Sequence, residues 1–312
     1  MIKVENLTRK YGDFFAVDDV SFKISPGEIV GLLGHNGAGK TTIMKMITGF
    51  LEPTSGHAMV DGFSLDENLQ EIQGKIGYLP ENCPVYPEMT VIDYLDYAAS
   101  LHGLSDKEKP ARIREAIEKT ELQPKAMQLI STLSRGYRQR VGVAQAILHK
   151  PKILILDEPT NGLDPTQIQH MRELVKNLAA EATIIISTHI LHEVQAICDR
   201  VLIIRNGKMA MDSKLADLQS GARLFLSTDA SMAAARELIE PISEIESLEQ
   251  LSSQGGKYKY GLTCAHPVDH DDLAARIAAL IHENGHKLYN LFSETRDLET
   301  IFSEISTGEG RA

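Results

Sequence analysis

The segment Gly34–Thr41 constrains the fold more than any other part of this 312-residue chain. It reads Gly-His-Asn-Gly-Ala-Gly-Lys-Thr and matches the pattern G-x-x-x-x-G-K-[ST] of a phosphate-binding loop. The apolar run Glu28–Leu33 before it predicts a buried strand. Thr42–Ile47 after it predicts a helix whose positive end faces phosphate. Together the strand, loop and helix predict binding of a nucleoside triphosphate.

Chemistry explains the fixed positions of this loop. Its glycines let backbone N–H groups approach phosphate oxygens without an intervening Cβ atom. Lys40 is expected to reach the β- and γ-phosphates, and the hydroxyl of Thr41 to bind Mg²⁺. The predicted nucleotide-binding residues here are Gly34, His35, Asn36, Gly37, Ala38, Gly39, Lys40, Thr41 and Thr42.

Net charge, cysteine content and the length of apolar runs argue against several classes of protein. The net charge of −11 and the pI near 5.5 argue against a nucleic-acid scaffold, because a phosphate backbone favours basic surfaces. The cysteines, Cys83, Cys198 and Cys264, are scattered, which favours a reducing cytoplasm over a disulfide framework. The longest apolar runs are strand-sized, far shorter than a membrane span. If this chain works at a membrane, another protein is expected to supply the membrane part.

The order of sequence patterns predicts an α/β domain followed by a smaller one. Strand patterns fill residues 1–65, and residues 90–149 are predicted to be helical. The apolar runs Lys152–Asp157 and Thr183–Ser187 flank a helical segment, which indicates a parallel sheet covered by helices. From residue 220 the pattern is β-α-β-β-α-β, typical of a ferredoxin-like α+β domain, followed by a last helix over Asp297–Ile305.

Four further segments carry polar residues in positions suited to chemistry. The strand Ile153–Glu158 ends in two acids: Asp157 is suited to hold Mg²⁺, and Glu158 to act as general base on water. Taken alone, the pair is as readily the polar end of a buried strand. Ser134 is placed to cap the helix that follows it. Asn161–Asp164 and Ser187–His189 lie downstream.

With these motifs in this order, the chain resembles an ATP-binding-cassette (ABC) ATPase over about residues 1–215. The resemblance implies a P-loop NTPase fold with a helical subdomain at about 85–150, within a domain of residues 1–219. It also implies a head-to-tail dimer that holds two ATP molecules between its subunits. Ser134, Gly136 and Asp164 would then face the nucleotide bound by the phosphate loop of the other copy.

The resemblance also suggests further roles. Tyr11 is similar in position to the aromatic residue that stacks on adenine in the family, and His189 to the switch histidine at the γ-phosphate. Glu158, His189 and Lys40 would then be catalytic. The Mg²⁺ ligands would be Thr41, Glu81 and Asp157.

Three positions depart from the family pattern. Glu81 replaces the usual glutamine; it either ligates Mg²⁺ with added negative charge or points to solvent. In the segment Leu133–Arg140, which resembles the signature of the family, Arg135 replaces the first glycine and Tyr137 the usual glutamine. Because Ser134 and Gly136 are retained, activity is expected to survive. The substitutions resemble the ABC-2 export-type subgroup, whose ATPase subunits often carry an added C-terminal domain such as residues 220–312.

The leading hypothesis is the energy-coupling ATPase of an exporter, acting on a separate permease at the cytoplasmic face of the membrane. In the family, the region that corresponds to Cys83–Leu101 receives the coupling helices of the permease; ordinary packing of a helical subdomain also explains this segment, and the two interpretations are compatible. The alternative is a soluble ABC ATPase that acts on ribosomes or DNA. A single phosphate loop and the absence of long heptad repeats oppose it. A P-loop kinase would leave Ser134–Tyr137 and His189 unexplained.

Histidines in the C-terminal part suggest a metal site only weakly. Cys264, His266 and His270 stand close in sequence, but the adjacent proline and acids favour a solvated loop and helix start. Gly285 is predicted to end the helix between His282 and His286, so these two are not expected to share a face.

Overall fold

The computed structural model describes residues 1–264, 269–295 and 302. The chain divides into two compact units, Met1–Leu215 and Ala216–Ala312, with the division four residues before the domain boundary drawn from sequence. Apart from Phe302, the predicted last helix, Asp297–Ile305, lies outside the described residues. None of the helices in the described ranges has the length and apolar character needed to cross a bilayer.

The first unit mixes strands and helices along its whole length. Its strands are β1 (Ile2–Tyr11), β2 (Phe14–Ile24), β3 (Ile29–Leu33), β4 (Ser55–Val60), β5 (Phe63–Ser64), β6 (Ile76–Leu79), β7 (Ile153–Asp157), β8 (Thr183–Thr188), β9 (Arg200–Arg205) and β10 (Lys208–Lys214). Its helices are α1 (Lys40–Ile47), α2 (Leu69–Gln73), α3 (Val91–Leu101), α4 (Lys109–Lys119), α5 (Arg135–Ile147), α6 (Pro165–Ala179) and α7 (Leu191–Ile197), and α8 (Leu215–Gln219) follows.

A six-stranded sheet in the order β10-β9-β3-β8-β7-β6 positions the site. Its pairs are parallel from β9 to β6, and β10 runs antiparallel at the edge. Every residue of β7 and β8 is buried, as expected for parallel strands covered on both faces. The carboxyl ends of β3, β7 and β8 therefore lie side by side, and Asp157 is paired with Ser187.

The first unit also contains an antiparallel sheet in the order β2-β1-β4-β5. Its buried residues share one hydrophobic cluster with those of α1 and the parallel sheet, including Leu7, Val20, Ile43 and Ile155. The strand predicted at Ala16–Ile24 begins two residues earlier, at Phe14.

Helices α3, α4 and α5 form the helical subdomain around a hydrophobic cluster of their own, which includes Val91, Leu95, Ile117 and Val141. The prediction of helix across residues 90–149 is wrong in detail, because residues 102–108 and 120–134 are not α-helical. Gly103 has a φ of +73°, a left-handed conformation that stops α3. Two 3₁₀ turns, Gln123–Lys125 and Ile130–Thr132, lie in the second gap.

The second unit has the predicted element order β-α-β-β-α-β. Its elements are β11 (Ser220–Thr228), α9 (Met232–Ile239), β12 (Ile245–Gln254), β13 (Lys257–Cys264), α10 (His270–Glu283) and β14 (Leu288–Thr295). The strands form an antiparallel sheet in the order β12-β13-β11-β14. Apolar residues of α9 and α10, among them Ile239 and Ile277, pack with Leu224 and Leu262 of the sheet. As predicted, α10 ends before Gly285, whose φ is +77°.

Candidate functional site

The phosphate loop joins β3 to α1 in a backbone conformation that only glycine accepts. Gly37 and Gly39 have φ values of +80° and +111°. A Cβ atom on Gly39 would lie 2.6 Å from the carbonyl oxygen of Ala16, and one on Gly34 would lie 2.5 Å from that of Ile204. No side chain caps the start of α1 at Gly39. The first N–H groups of the helix are therefore left for a ligand such as phosphate.

The ammonium group of Lys40 is buried among oxygen atoms. Its Nζ atom donates to the carbonyl oxygens of Gly34 at 2.7 Å and His35 at 3.3 Å. It also lies 3.4 Å from Oε1 of Glu158, a contact without hydrogen-bond geometry. Both side chains are more than nine-tenths buried. Because both groups are shielded from solvent, the positive charge of Lys40 and the negative charge of Glu158 compensate each other.

A cavity of about 560 Å³ opens over the loop. It brings together most residues predicted to bind nucleotide. Its lining consists of Tyr11, Phe14, Ala16, Asn36, Gly37, Ala38, Gly39, Lys40, Thr41, Thr42, Glu81, Glu158 and Asn161. Tyr11 is half exposed, and the guanidinium carbon of Arg9 lies 4.6 Å from the centre of its ring.

The carboxylate of Asp157 contacts the phosphate loop through one oxygen atom and leaves the other without a partner. Its Oδ1 atom accepts hydrogen bonds from the hydroxyl of Ser187 and from that of Thr41, the latter at 3.3 Å. Its Oδ2 atom is buried without a partner. Burial, and secondarily the charge of Asp157, raises the pKa of the neighbouring Tyr78 phenol above its usual range. An orphaned carboxylate oxygen beside a hydroxyl fits the oxygen ligands that Mg²⁺ prefers.

Glu158 is held from two sides at the end of β7. Its φ is +48°, a left-handed conformation rare for a non-glycine residue. Its N–H donates to the hydroxyl oxygen of Ser187 at 2.9 Å, which ties Glu158 to the neighbouring strand β8. Its Oε2 atom lies 2.9 Å from Nδ1 of His189. The carboxylate therefore stands between an imidazole and the ammonium of Lys40.

Glu81 lies in the loop after β6 and lines the same cavity. Its Oε1 atom accepts a hydrogen bond of 3.2 Å from the side-chain amide of Asn161. Glu81 therefore lies at the site and is hydrogen-bonded to the loop that follows Glu158. The other two predicted Mg²⁺ ligands, Thr41 and Asp157, contact each other directly.

The residues expected to face the nucleotide of the other copy line a different cavity. Ser134, Gly136 and Asp164 border a space of about 750 Å³ that shares no lining residue with the cavity over the phosphate loop. The prediction that Ser134 caps α5 is confirmed, because its hydroxyl accepts from the N–H of Tyr137. Asp164 caps α6 in the same way, accepting from the N–H of Gln167 at 2.9 Å.

Residues 17–161 match the family model described as ABC transporter. The bacitracin transport ATP-binding protein BcrA of Bacillus licheniformis is 40% identical over 228 residues, 72% of this chain and 74% of that protein. The linearmycin resistance ATP-binding protein LnrL of Bacillus subtilis is 37% identical over 221 residues, 70% of this chain and 71% of that one.

The chain belongs to the ABC transporter ATP-binding family.

Solved structures agree with this assignment. An ATP-binding subunit of an ABC transporter is 33% identical, with a TM-score of 0.64 over 70% of this chain and 92% of that one. The ATP-binding cassette MJ0796, a dimer bound to ADP and Pi in a post-hydrolysis state, is 26% identical, with a TM-score of 0.63 over 69% and 99%. The chain is accordingly an ATP-binding ATPase with the cassette fold.

The two departures from the ABC signature have defined contacts. The guanidinium group of Arg135 lies on Gly162, where a Cβ atom would come within 2.6 Å of its Nη1 atom. The ring of Tyr137 lies 5.4 Å from Nζ of Lys125. Neither side chain replaces Ser134 as the helix cap.

Some residues at the site were not assigned a role from sequence. Phe14 lines the cavity beside Tyr11, Asn161 binds Glu81, and Ser187 binds Asp157. The sequence signal for Ser187 was present, since it ends the predicted strand Thr183–Ser187, which was expected in the same parallel sheet as the strand that ends at Asp157. Of the C-terminal residues considered for a metal site, His266 lies outside the described residues.

Proposed function

We propose that this chain is the ATP-hydrolysing subunit of an export-type ABC transporter and that it acts on a separate transmembrane permease from the cytoplasmic face of the membrane. The observation that supports this most directly is the buried carboxylate of Glu158, placed between Lys40 and His189 at the edge of the phosphate-loop cavity.

This geometry suits hydrolysis of the γ-phosphate. Glu158 accepts a proton from water as the water oxygen attacks phosphorus, and the bond to the β-phosphate oxygen breaks to release ADP. Lys40 and the N–H groups at the start of α1 bind the phosphate oxygens. His189 holds Glu158 through Nδ1, and its Nε2 atom remains for the γ-phosphate.

Mg²⁺, which is general in this family, fits at Thr41 and at the free oxygen of Asp157. When bound, it neutralises phosphate charge that develops as the bond breaks. Glu81 is proposed as a further ligand, directly or through water, since it lines the same cavity.

Two copies are proposed to complete each nucleotide site. One copy places Ser134, Gly136 and Asp164 at a cavity separate from its own phosphate loop. A head-to-tail dimer, of this chain or with a homologous subunit, would bring the capped end of α5 to the phosphate loop of the partner. The similar cassette MJ0796 has been solved as a dimer.

Relatives support the transport role. BcrA is named for bacitracin transport, and LnrL for linearmycin resistance. Another structural neighbour, cbiO1 of Clostridium perfringens, is part of the transporter complex cbiONQ; it is 29% identical, with a TM-score of 0.64 over 70% of this chain and 89% of that one. By analogy, we propose a permease partner and no nucleic acid, which agrees with the acidic net charge.

Affinity capture from detergent-solubilised membranes of the native cell tests this proposal. The bait is the full chain carrying Glu158→Gln, with ATP and Mg²⁺ present. The matched control bait carries Ser134→Arg, which should disrupt the proposed contact of Ser134 with the phosphate loop of the second copy. We expect a multi-spanning membrane protein with the first bait and at least fivefold less of it with the second. Recovery of ribosomal proteins or DNA in its place would support the soluble alternative.

A further inference from the structure

The four-stranded sheet of the second unit has two unlike faces. On one face, Leu224, Leu226 and Leu262 are buried in the cluster formed with α9 and α10. Side chains alternate along a strand, so the neighbours of these residues point to the opposite face. Phe225 and Gly261 are on this opposite face, and we call it the open face.

A row of apolar residues crosses the open face over all four strands. Phe225 is paired with Gly261 on one side and with Phe292 on the other. The rings of Phe225 and Phe292 have centroids 5.4 Å apart. Leu251 lies over Gly261, since a Cβ atom on that glycine would meet its side chain at 3.5 Å. Phe292 is 52% exposed and Leu251 45%.

Charges of both signs flank this row. On one side, Arg223 lies 3.6 Å from Glu249 of the neighbouring strand. On the other side is Lys259, which is paired with Ser227. A nucleic acid or an anionic membrane would favour a face of positive charge alone. A face with an apolar centre and mixed charge at its margin is instead complementary to a copy of itself.

The size of the open face suits a secondary contact. Four strands about 4.8 Å apart and about eight residues long cover roughly 500 Å². A stable interface usually buries about 800 Å² on each partner, so this face is too small to hold two chains by itself. In an assembly that already contains two copies, a second contact gains from the raised effective concentration.

We propose that the open face, centred on Leu251, Gly261, Phe225 and Phe292, binds the open face of a second copy of this chain. The proposal rests on the cassette dimer proposed above and adds to it. Sheets pack face to face at about 10 Å, with side chains interdigitating, and the two apolar rows would form the centre of that layer.

Sedimentation velocity of the full chain with ATP and Mg²⁺ tests this contact, with Glu158→Gln present in every sample to slow hydrolysis. Phe292→Asp and Leu251→Asp each place a carboxylate in the apolar row. Both side chains are about half exposed, so the fold should tolerate either change, and circular dichroism checks this. Ala279→Asp, at an exposed position of α10, is the matched control.

We expect each row variant to raise the dimer Kd at least tenfold and the control to change it less than twofold. Row variants that dimerise as tightly as the control would overturn the proposal, even if Ser134→Arg abolishes the dimer and so supports the cassette contact. A parent that stays monomeric with ATP would contradict both proposals. Loss of permease capture by the row variants with an unchanged dimer would assign the face to the permease instead.

Discussion

At the scale of single residues, backbone geometry places the proposed catalytic group. Glu158 adopts a φ of +48° directly after β7, and its N–H is bound by Ser187 of the neighbouring strand. Strain of this kind, of order 1–3 kcal/mol, persists only where the surroundings enforce it and is concentrated at functional sites. Here it directs the carboxylate toward Lys40 and His189.

Glu81→Gln tests the departure from the family at the loop after β6. The substitution removes a negative charge beside the phosphate site but retains an acceptor for Asn161. We expect ATP binding within about twofold of the parent and a several-fold higher Mg²⁺ concentration for half-maximal hydrolysis. ATPase rates measured against Mg²⁺ check this, with Asn161→Ala as a control that breaks the hydrogen bond alone. Superimposable curves would show that Glu81 is no metal ligand.

His149 should make stability depend on pH. Its ring stacks on that of His102 at 4.1 Å, and its Nε2 atom contacts the carbonyl oxygen of Ile76. Burial, with a contribution from His102, lowers the pKa of His149 to about 4. The unfolded chain then binds more protons than the folded chain between about pH 6.5 and 4, so stability falls as pH falls through this window.

Urea unfolding at pH 7.5 and pH 5.0 measures this effect. From pH 7.5 to pH 5.0, the free energy of unfolding should fall by roughly 2 kcal/mol more in the parent than in His149→Phe. The phenylalanine keeps an aromatic ring but cannot titrate. His282→Gln, a change at an exposed histidine, is expected to behave as the parent does. Equal losses in all three proteins would contradict the buried position of His149.

The sequence predicted much of the site because most of its residues lie in contiguous motifs. Lys40, Thr41 and Glu158 come from segments whose local structure is determined by glycine or by an apolar strand. The hydrogen bond of Asn161 with Glu81, and the contact of Arg135 at the start of α5 with Gly162, join segments distant in sequence. They depend on tertiary side-chain packing, which periodicity does not report.

At the scale of elements, the starts of two helices combine capping with a proposed role in nucleotide binding. Ser134 and Asp164 cap α5 and α6, and both border the cavity proposed to meet the partner. Interruptions of helix were harder to predict, because residues 120–134 keep apolar side chains at helical spacing. Leu122, Ile130 and Leu133 are buried in the subdomain cluster without belonging to an α-helix.

Asp164 variants separate capping from a role in the site. Asp164→Ala removes the acceptor for the N–H of Gln167 and should cost about 1 kcal/mol of unfolding free energy. Asp164→Asn keeps the cap and should leave stability within about 0.5 kcal/mol of the parent.

Thermal unfolding and ATPase rates of both variants test this. If the negative charge of Asp164 acts at the dimer contact, Asp164→Asn should hydrolyse ATP about tenfold more slowly than the parent, equal to about 1.4 kcal/mol of activation free energy. An Asn variant with the parent rate would leave Asp164 as a cap only.

At the scale of the whole molecule, the sequence predicted a function for the first unit but none for the second. The first was predicted from motifs that carry their own chemistry. For the second, alternating apolar residues predicted the element order, yet they gave no partner, because its open face carries no motif. The register that aligns Phe225 with Phe292 appears only in the folded sheet.

We propose that the first unit folds and binds nucleotide alone. A chain ending at Gln219 keeps every residue that lines the phosphate-loop cavity, and it keeps Leu215, which is buried. We expect it to be soluble and to bind ATP within about threefold of the full chain, by isothermal titration. A folded truncation that no longer binds ATP would contradict this boundary.

The rate of ATP hydrolysis by Glu158→Gln tests the central claim most directly. The amide keeps the shape of the side chain but accepts no proton, so kcat should fall by roughly 10²–10⁴ while ATP still binds. With ATP and Mg²⁺ the variant should also accumulate as a dimer, and Glu158→Asp provides a shorter carboxylate as control. Hydrolysis by Glu158→Gln at near the parent rate would contradict the assignment of Glu158 as the base.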